Sequence, residues 1–234
     1  MKRLQFLQII MDNSFKENFF NILFGIFIAS LITCNLIANK FVTVDLGFKT
    51  FIVSAGILAY PITFIVTDLI SELYGQKKAN KVVFSGFIAS IFVLIFLWLG
   101  GQFNAISDSV VDNETYDVVF RNAWRIIAAS MIAYLFAQSL DVRLFHFWKK
   151  LTNGKHLWLR NNASTFSSQL VDTATVLLLL CLAGGIAWDK FWVLLLNGFL
   201  FKVIMALIDT PILYLVINLI RKRFKLEVGE EIEI

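Results

Sequence analysis

The sequence predicts an all-α integral membrane protein with six transmembrane helices in a single membrane domain. Of its 234 residues, 58% are hydrophobic and only 16% are charged, and the mean hydropathy is +0.74. A soluble domain usually has about 45–50% apolar and about 25% charged residues. The apolar residues fall into six runs of spanning length, and no polar low-complexity stretch separates them as a linker would.

The six runs are identified by length, because a helix needs about 20 largely apolar residues to cross roughly 30 Å of hydrocarbon. The first run is longer than the apolar region of a signal peptide and ends in no small-residue cleavage pattern, so we interpret it as a spanning helix. Pro61 and Pro211 are expected to break the second and last spans, since proline removes a helical hydrogen bond. The predicted spans are Phe19–Phe41, Phe51–Tyr74, Val82–Phe103, Asn122–Trp148, Ala163–Ala187 and Phe191–Ile220.

The loop charges predict that both termini are cytoplasmic. Basic residues concentrate on the cytoplasmic side of membrane proteins. With the N-terminus inside, 14 loop and tail Lys and Arg residues lie in the cytoplasm and only four, Lys40, Lys49, Arg121 and Lys190, lie outside. The division is then a cytoplasmic segment 1–18, a transmembrane transport domain 19–220 and a cytoplasmic tail 221–234. This clustering in loops also argues against a nucleic-acid partner for the net charge of +4.

An acidic loop divides the chain into two halves of three spans, which must have opposite topology. This arrangement is typical of transporters with 3+3 inverted repeats. The second spans of the two halves share a weak likeness, Thr67-Asp68 against Asp172-Thr173, each midway along its span. The sequence therefore allows an inverted repeat without demonstrating one.

Ionisable and amide side chains within the spans are the candidates for function. A charged group at the centre of a spanning helix costs about 2.5–3.5 kcal/mol on insertion scales, so each needs a partner or a water-filled cavity. In most spans the polar residues are three, four or seven apart and so share a helix face. We interpret them as lining a transport pathway. They are Asn35 and Asn39 in the first span, Asp68 and Glu72 in the second, Gln138, Asp141 and Arg143 in the fourth, Gln169 and Asp172 in the fifth, and Lys202 and Asp209 in the sixth.

Structural roles compete with this interpretation. Asp141 or Asp209 can pair with Arg143 or Lys202 merely to hold helices together. Glu72 can form a surface ion pair with the nearby Lys77 and Lys78, and the asparagines can act as interhelical hydrogen-bond partners. Asp68 and Asp172 are harder to explain in this way, because neither has a basic residue within one helical turn.

Three motifs resemble those of a known family. The run Thr67–Gly75 (TDLISELYG), followed by a Lys-rich turn, resembles the signature of the queuosine precursor transporters, also called the VUT family. The segment Leu157–Thr165 (LWLRNNAST), continuing through Gln169 and Asp172, is similar to the second family motif. The run from Lys202 to Pro211, ending in DTP, is similar to the third. The resemblance extends over nearly the whole chain.

The resemblance implies an importer of 7-deazaguanine bases such as preQ0 and preQ1 in the bacterial inner membrane. A guanine-like edge offers N1–H and NH2 donors, which one carboxylate (Asp68, Glu72 or Asp172) can accept. The O6 acceptor needs a donor, and Tyr60, Phe64 or Phe166 can stack on the ring. Arg160 and the two asparagines after it can cap the fifth span or gate the exit. The candidate substrate-binding residues are Asp68, Glu72, Asn39, Gln138, Asp141, Arg143, Gln169, Asp172, Lys202 and Asp209.

Two modes of action remain open. The chain can be a secondary transporter, with proton coupling through Asp68 or Asp172 as one option. The alternative is the substrate-binding membrane subunit of a larger ATP-driven importer, whose ATPase would be a separate partner because no Walker motif occurs. The sequence contains no hydrolase or metalloprotease motif, so we expect no enzyme. We also expect no cofactor and no metal, with a purine-like small molecule and membrane lipid as partners; a homo-oligomer is left open.

Overall fold

The computed structural model describes residues 2–38, 40–47, 49–121, 124–184 and 186–233, and for residues 2–13, 121 and 124–126 it describes the backbone alone. Six helical segments in this part of the chain are long and apolar enough to cross a membrane. The predicted all-α membrane fold is thereby confirmed. The elements are α1 (Lys2–Leu36), β1 (Phe41–Asp45), β2 (Thr50–Ser54), α2 (Tyr60–Tyr74), α3 (Gln76–Gly100), α4 (Asn113–Tyr116), α5 (Trp124–Leu151), α6 (Leu157–Leu182) and α7 (Phe191–Phe224).

The second span differs from its prediction, because its first residues form a strand. Strands β1 and β2 pair as an antiparallel hairpin with Phe41 opposite Ser54, and a short 3-10 turn, Ala55–Leu58, leads into α2. The apolar run from Phe51 reads as a helix by length, yet periodicity alone cannot separate a short apolar strand from helix. The rings of Phe51 and Phe201, 5.5 Å apart, pack the hairpin against α7.

Neither proline breaks its helix as expected. Pro61 lies in the first turn of α2, where a backbone N–H would have no helical partner in any case. Pro211 lies inside α7, which continues to Phe224. Immediately before the proline, the Thr210 hydroxyl donates to the carbonyl of Ala206 at 2.9 Å. Polar side chains of this kind commonly satisfy the backbone near a proline in membrane helices.

The apolar core lies where α1, α2, α3, α5 and α7 meet. Phe27, Ile70, Leu73, Phe145 and Ile217 are completely buried there. The outer faces of the helices carry exposed aromatic and aliphatic side chains, such as Phe92 and Phe96 on α3. An apolar face this extensive suits contact with lipid. The core leaves polar side chains of α2, α5, α6 and α7 facing one another in the interior.

The bundle has a hairpin end and a tail end. The hairpin and the α6–α7 connection lie at the hairpin end, whereas the chain after α7 returns to the tail end, where α2 gives way to α3. Gly75 makes this turn with φ of 81°, a conformation that glycine adopts without strain. The segment boundaries at residues 18 and 220 remain predictions, since α1 and α7 run through them without interruption.

Candidate functional site

A large vestibule, with a cavity volume of about 390 Å³, opens between the helices at the hairpin end. Its walls come from α1, the hairpin, α5, α6 and α7, and they include the polar side chains of Asn35, Ser130 and Thr173. Tyr60, Asp172 and Lys202 also line it, and they lie deepest from the hairpin end along their helices. The vestibule therefore brings solvent from one end of the bundle down to an ion pair.

That ion pair joins α6 to α7. Lys202 Nζ lies 2.5 Å from Asp172 Oδ2 and 4.5 Å from the centre of the Tyr60 ring. The Tyr60 hydroxyl faces the same carboxyl group. Asp172 was singled out for its lack of a basic neighbour in sequence, but the fold supplies Lys202 from another helix. The alternative pairing of Lys202 with Asp209 on its own helix is absent from the described structure.

A second cavity, the cleft, continues beyond this ion pair toward the tail end. It is narrow, with a cavity volume of about 20 Å³, and Tyr60 and Lys202 line it as well as the vestibule. Asp68, Gln169 and Asp209 line it from the middle of α2, α6 and α7. The Asp172–Lys202 pair and Tyr60 thus separate an outer vestibule from an inner polar cleft.

Several acceptors in the cleft have no partner in the described part of the chain. One oxygen of Asp68, Gln169 Oε1 and Thr165 Oγ1 are buried without a hydrogen bond. Asp209 forms no ion pair or hydrogen bond with any described residue and is only partly buried. Buried polar groups are nearly always satisfied in a finished structure. Unsatisfied acceptors on one cleft are what a ligand rich in N–H donors would use.

Tyr60 and Phe64 form the aromatic side of the cleft. They lie one turn apart on α2, with ring centres 5.4 Å apart. Phe166, the third aromatic candidate, is half-buried and does not line either cavity. A flat heterocycle entering the cleft would therefore meet rings from α2.

Behind Asp68, a polar layer links α2, α5 and α6. The Asp68 carboxyl contacts that of Asp141, which also accepts a hydrogen bond from Ser168 Oγ at 2.9 Å. One helical turn before Asp141, the Oε1 atom of Gln138 accepts from the Thr67 hydroxyl at 3.2 Å. Gln138 and Asp141 are completely buried and do not line the cleft. Both residues therefore lie behind Asp68, outside the cleft, and Asp141 is the one that contacts it.

The tail end is closed by the Glu72 cluster, consisting of Glu72, Lys149, Arg160 and Arg221. Arg160 donates two hydrogen bonds to the Glu72 carboxylate, from Nε to Oε2 at 3.1 Å and from Nη2 to Oε1 at 2.5 Å. Arg221 also donates to Glu72 Oε1, and Lys149 Nζ lies 4.0 Å from Oε2. Glu72 is completely buried, so the expected alternative of a surface pair with Lys77 and Lys78 is wrong. The cluster ties α2, α5, α6 and α7 together below the cleft.

Arg160 does not cap α6, so the first of the two roles that the sequence allowed it is wrong. His156 occupies the position before the helix and makes no side-chain cap. Arg160 instead reaches Glu72 and also donates to the carbonyls of Gly154 (2.8 Å) and Lys155 (2.9 Å). The asparagines that follow both donate to Thr210 Oγ1 on α7, so this motif joins helices.

The chain after α7 covers the Glu72 cluster. Its Ile232 is buried in the main core, and the Ile232 amide donates to the Leu73 carbonyl at 2.6 Å. Glu231 pairs with Lys149 at 3.1 Å. These contacts close the tail end over the four helices that the Glu72 cluster joins.

The predicted site residues therefore have different positions. Arg143 is exposed on the outer side of α5 and contributes to neither cavity, because its position on the helix points it away from the Asp141 face. Asn39 lies outside the described residues. Lys149 and Arg221, which the charge count placed in a cytoplasmic loop and in the cytoplasmic tail, reach inward to Glu72. Asp68, Gln169, Lys202 and Asp209 line the cleft, Asp172 lines the vestibule, Gln138 and Asp141 lie behind Asp68, and Glu72 belongs to the closed tail end.

Comparison with known proteins identifies the family. A family model described as "Putative vitamin uptake transporter" matches residues 54–216. The chain is 29% identical over 160 residues to the "Probable queuosine precursor transporter" of Bacillus subtilis (strain 168), covering 68% of this chain and 69% of the relative. It is 26% identical over 184 residues to the "Queuosine precursor transporter" of Escherichia coli (strain K12), covering 76% and 77%. No solved structure matches significantly.

These matches confirm the resemblance of the three motifs. Together with six apolar helices, they place the chain as a multi-pass protein of the bacterial inner (cytoplasmic) membrane. Proteins named as transporters are its relatives, and none of those named here is an enzyme. The chain belongs to the transporter family described as "Putative vitamin uptake transporter".

Proposed function

We propose that this protein imports queuosine precursors, 7-deazaguanine bases such as preQ0 and preQ1, and that it works as a secondary transporter. The relatives named as queuosine precursor transporters support the substrate class. The observation that carries the proposal is the cleft, because unpartnered acceptors and aromatic rings meet there midway along the helices.

The cleft matches the donor pattern of a guanine-like base. Asp68 accepts N1–H and the exocyclic NH2 together, since one carboxylate can receive two parallel hydrogen bonds. Gln169 turns its amide nitrogen toward O6, an orientation open to it because no described residue fixes its oxygen. Tyr60 and Phe64 stack on the ring. Asp209 is left to receive a further N–H or a cationic substituent.

The two ends of the pathway support an alternating mechanism. With the predicted topology, the vestibule opens to the outside and the Glu72 cluster closes the cytoplasmic side. A base reaches the cleft from the vestibule when the Lys202 side chain moves away from Asp172. The base leaves to the cytoplasmic side when the residues of the Glu72 cluster separate. Such movement of parts around a central site is the usual behaviour of secondary transporters.

Uptake tests the assignment of the cleft. Asp68→Asn removes the charge-assisted bonds to the base, which contribute about 1.5–3 kcal/mol, so we expect uptake to fall roughly tenfold or more. The measurement is accumulation of labelled preQ0 and preQ1 in cells that lack an importer of their own, with protein abundance checked by immunoblot.

Asp189→Asn is the matched control, because Asp189 is an exposed carboxylate in the α6–α7 connection. It should leave uptake unchanged. Wild-type accumulation by a normally expressed Asp68→Asn variant would overturn the assignment of the cleft. Absence of uptake of either base by the wild-type protein would overturn the proposed function itself.

A further inference from the structure

The contact between Asp68 and Asp141 is unusual for two buried carboxyl groups. Asp68 is 2% exposed and Asp141 is fully buried, and one oxygen of each has no hydrogen-bond partner among the described residues. Neither forms an ion pair in the described structure, whereas Glu72 and Asp172 both do. Two acidic groups therefore meet inside the helix bundle, and no described residue places a cation between them.

The surroundings of the pair offer few charges that could neutralise it. On α2, Glu72 lies one turn from Asp68 as a third acidic group, and Arg160 on α6 is already bound to Glu72. From α6, Ser168 and Ser164 bring only hydroxyl groups to Asp141. Across the cleft, α7 presents Asp209 together with Lys202, which is bound to Asp172.

The remaining neighbours of α2 are apolar at this level. Its other faces pack into the main core, with Phe27 and Leu31 on α1 and Val82 and Val83 on α3. On α5, Gln138 lies one turn before Asp141 and is neutral, and Arg143 is exposed on the outer side of the helix. No described element packed against the pair supplies a free cation.

The repulsion between two negative charges determines how many protons the Asp68–Asp141 pair holds. Carboxylates are hydrogen-bond acceptors only, so two ionised groups in contact repel each other and leave both oxygens unsatisfied. A single proton between them converts the contact into a hydrogen bond. The pair then has one negative charge, and the outer face of Asp68 stays available to accept N–H groups from the cleft.

We propose that Asp68 and Asp141 form the proton-binding site of this transporter and that one proton enters with each base. The inference rests on the proposed import of queuosine precursors and adds the coupling ion to it. Asp68 takes part in binding both the base and the proton, since it lines the cleft and contacts Asp141 behind it. The proton fixes Asp68 as an acceptor facing the base. By linkage, the bound base favours the proton equally.

The balance of one cycle is simple. A proton and a base enter from the vestibule, the proton occupies the Asp68–Asp141 pair, and both leave to the cytoplasm when the Glu72 cluster opens. Asp172, the other carboxylate considered for coupling, is neutralised by Lys202 and has no need of a proton. No other reactant is consumed.

Proteoliposomes containing the purified protein test the proposal. Wild-type vesicles that are acidic outside by one pH unit should accumulate preQ0 about tenfold at one proton per base. Addition of preQ0 to the outside should lower the pH of the vesicle interior, which a trapped pH-sensitive dye reports. Asp141→Asn keeps the shape of the side chain and donates to Asp68 permanently, so it should abolish both effects while the exchange of internal for external base remains measurable. The control variant Glu114→Gln, in the short exposed helix α4, should behave as the wild type.

The outcomes separate the two proposals. Absence of base exchange by the wild type would overturn the proposed function. Wild-type exchange without accumulation or internal acidification would overturn proton coupling alone. Accumulation by Asp141→Asn at the wild-type ratio would overturn the assignment to this pair. If Asp141→Asn does not insert into the membrane, the dye signal of the wild type still shows whether protons move with the base. Asp141→Glu then tests the site, because it keeps a titratable group. It should retain accumulation driven by the pH gradient.

Discussion

Glu72 faces three cations while remaining completely buried. Arg160 is also completely buried, and its planar guanidinium matches the carboxylate with two parallel bonds, which a lysine could not provide. Removal of one partner from a buried pair is far more damaging than the net value of the pair, because the other charge stays behind without compensation. Substitution of the residue at the centre of such a cluster should therefore lower the stability more than substitution at its edge.

This argument predicts an asymmetry between two neutralising substitutions. Glu72→Gln leaves Arg160 buried beside two further cations, so it should lower the free energy of unfolding by about 3–5 kcal/mol. Arg221→Gln removes a partly exposed cation and leaves Glu72 paired with Arg160, so it should be the milder change. Thermal unfolding of both variants in detergent compares them. Equal or reversed losses would contradict the central role assigned to Glu72.

At the scale of an element, the segment after α7 behaves as part of the fold and not as a free tail. Ile232 is buried among the core residues, whereas Val228 in the same segment is 62% exposed. Burial of an aliphatic side chain of this size contributes about 1.5–3 kcal/mol. The segment is thus held mainly by one apolar anchor, assisted by Glu231.

Ile232→Asp should therefore release the segment from the tail end. We expect trypsin to cleave the solubilised protein after Lys225 faster than in the wild type, because Lys225 then lies in a mobile chain. Val228→Asp is the matched control and should leave the rate unchanged, since that side chain is already exposed. A mass-spectrometric time course measures the cleavage. Equal rates for both variants would show that the anchor is not Ile232.

At the scale of the whole molecule, the vestibule is open at the hairpin end and the Glu72 cluster is closed at the other. The predicted topology makes this an outward-open arrangement. Leu194 lines the vestibule, and Lys150 is exposed at the tail end. The two positions report opposite sides of the membrane.

Labelling of single cysteines tests this arrangement. In a variant whose Cys34 and Cys181 are replaced, Leu194→Cys should react with a membrane-impermeant maleimide added outside intact cells. Lys150→Cys should react only after the cells are opened. Saturating substrate should slow the reaction at position 194, because substrate occupancy favours closure of the vestibule. The reverse labelling pattern would contradict the orientation from the loop charges.

The sequence predicted most of the fold because membrane insertion leaves so few choices. Apolar length determines the spans, and α5 and α7 fall close to their predicted ranges, whereas α3 and α6 each begin about two turns earlier than predicted. The hairpin at Phe51 was missed, since an apolar stretch before a helix has the same hydropathy whether it is extended or helical. The two prolines were misjudged, because their effect depends on helix position and on neighbours such as Thr210.

The cleft could be predicted only in part. The cost of burying polar groups identified Asp68, Gln169, Lys202 and Asp209 from the sequence, and all four line it. Arg143 met the same criterion, yet its side chain faces outward, because residues two apart on a helix lie on different sides. The spacing of polar residues along the sequence could not distinguish the residues that line the cleft from one that faces outward.

The sequence by itself determined that this chain spans the membrane six times and has ionisable groups within the spans, because chain length, hydropathy and residue type are local properties. Its motifs likewise determined the family. Only the tertiary structure decided which charges are neutralised: Glu72 by Arg160, 88 residues away, and Asp172 by Lys202, 30 residues away. Pairing over such separations depends on how helices pack. That packing leaves Asp68 and Asp141 against each other and Asp209 facing an open cleft.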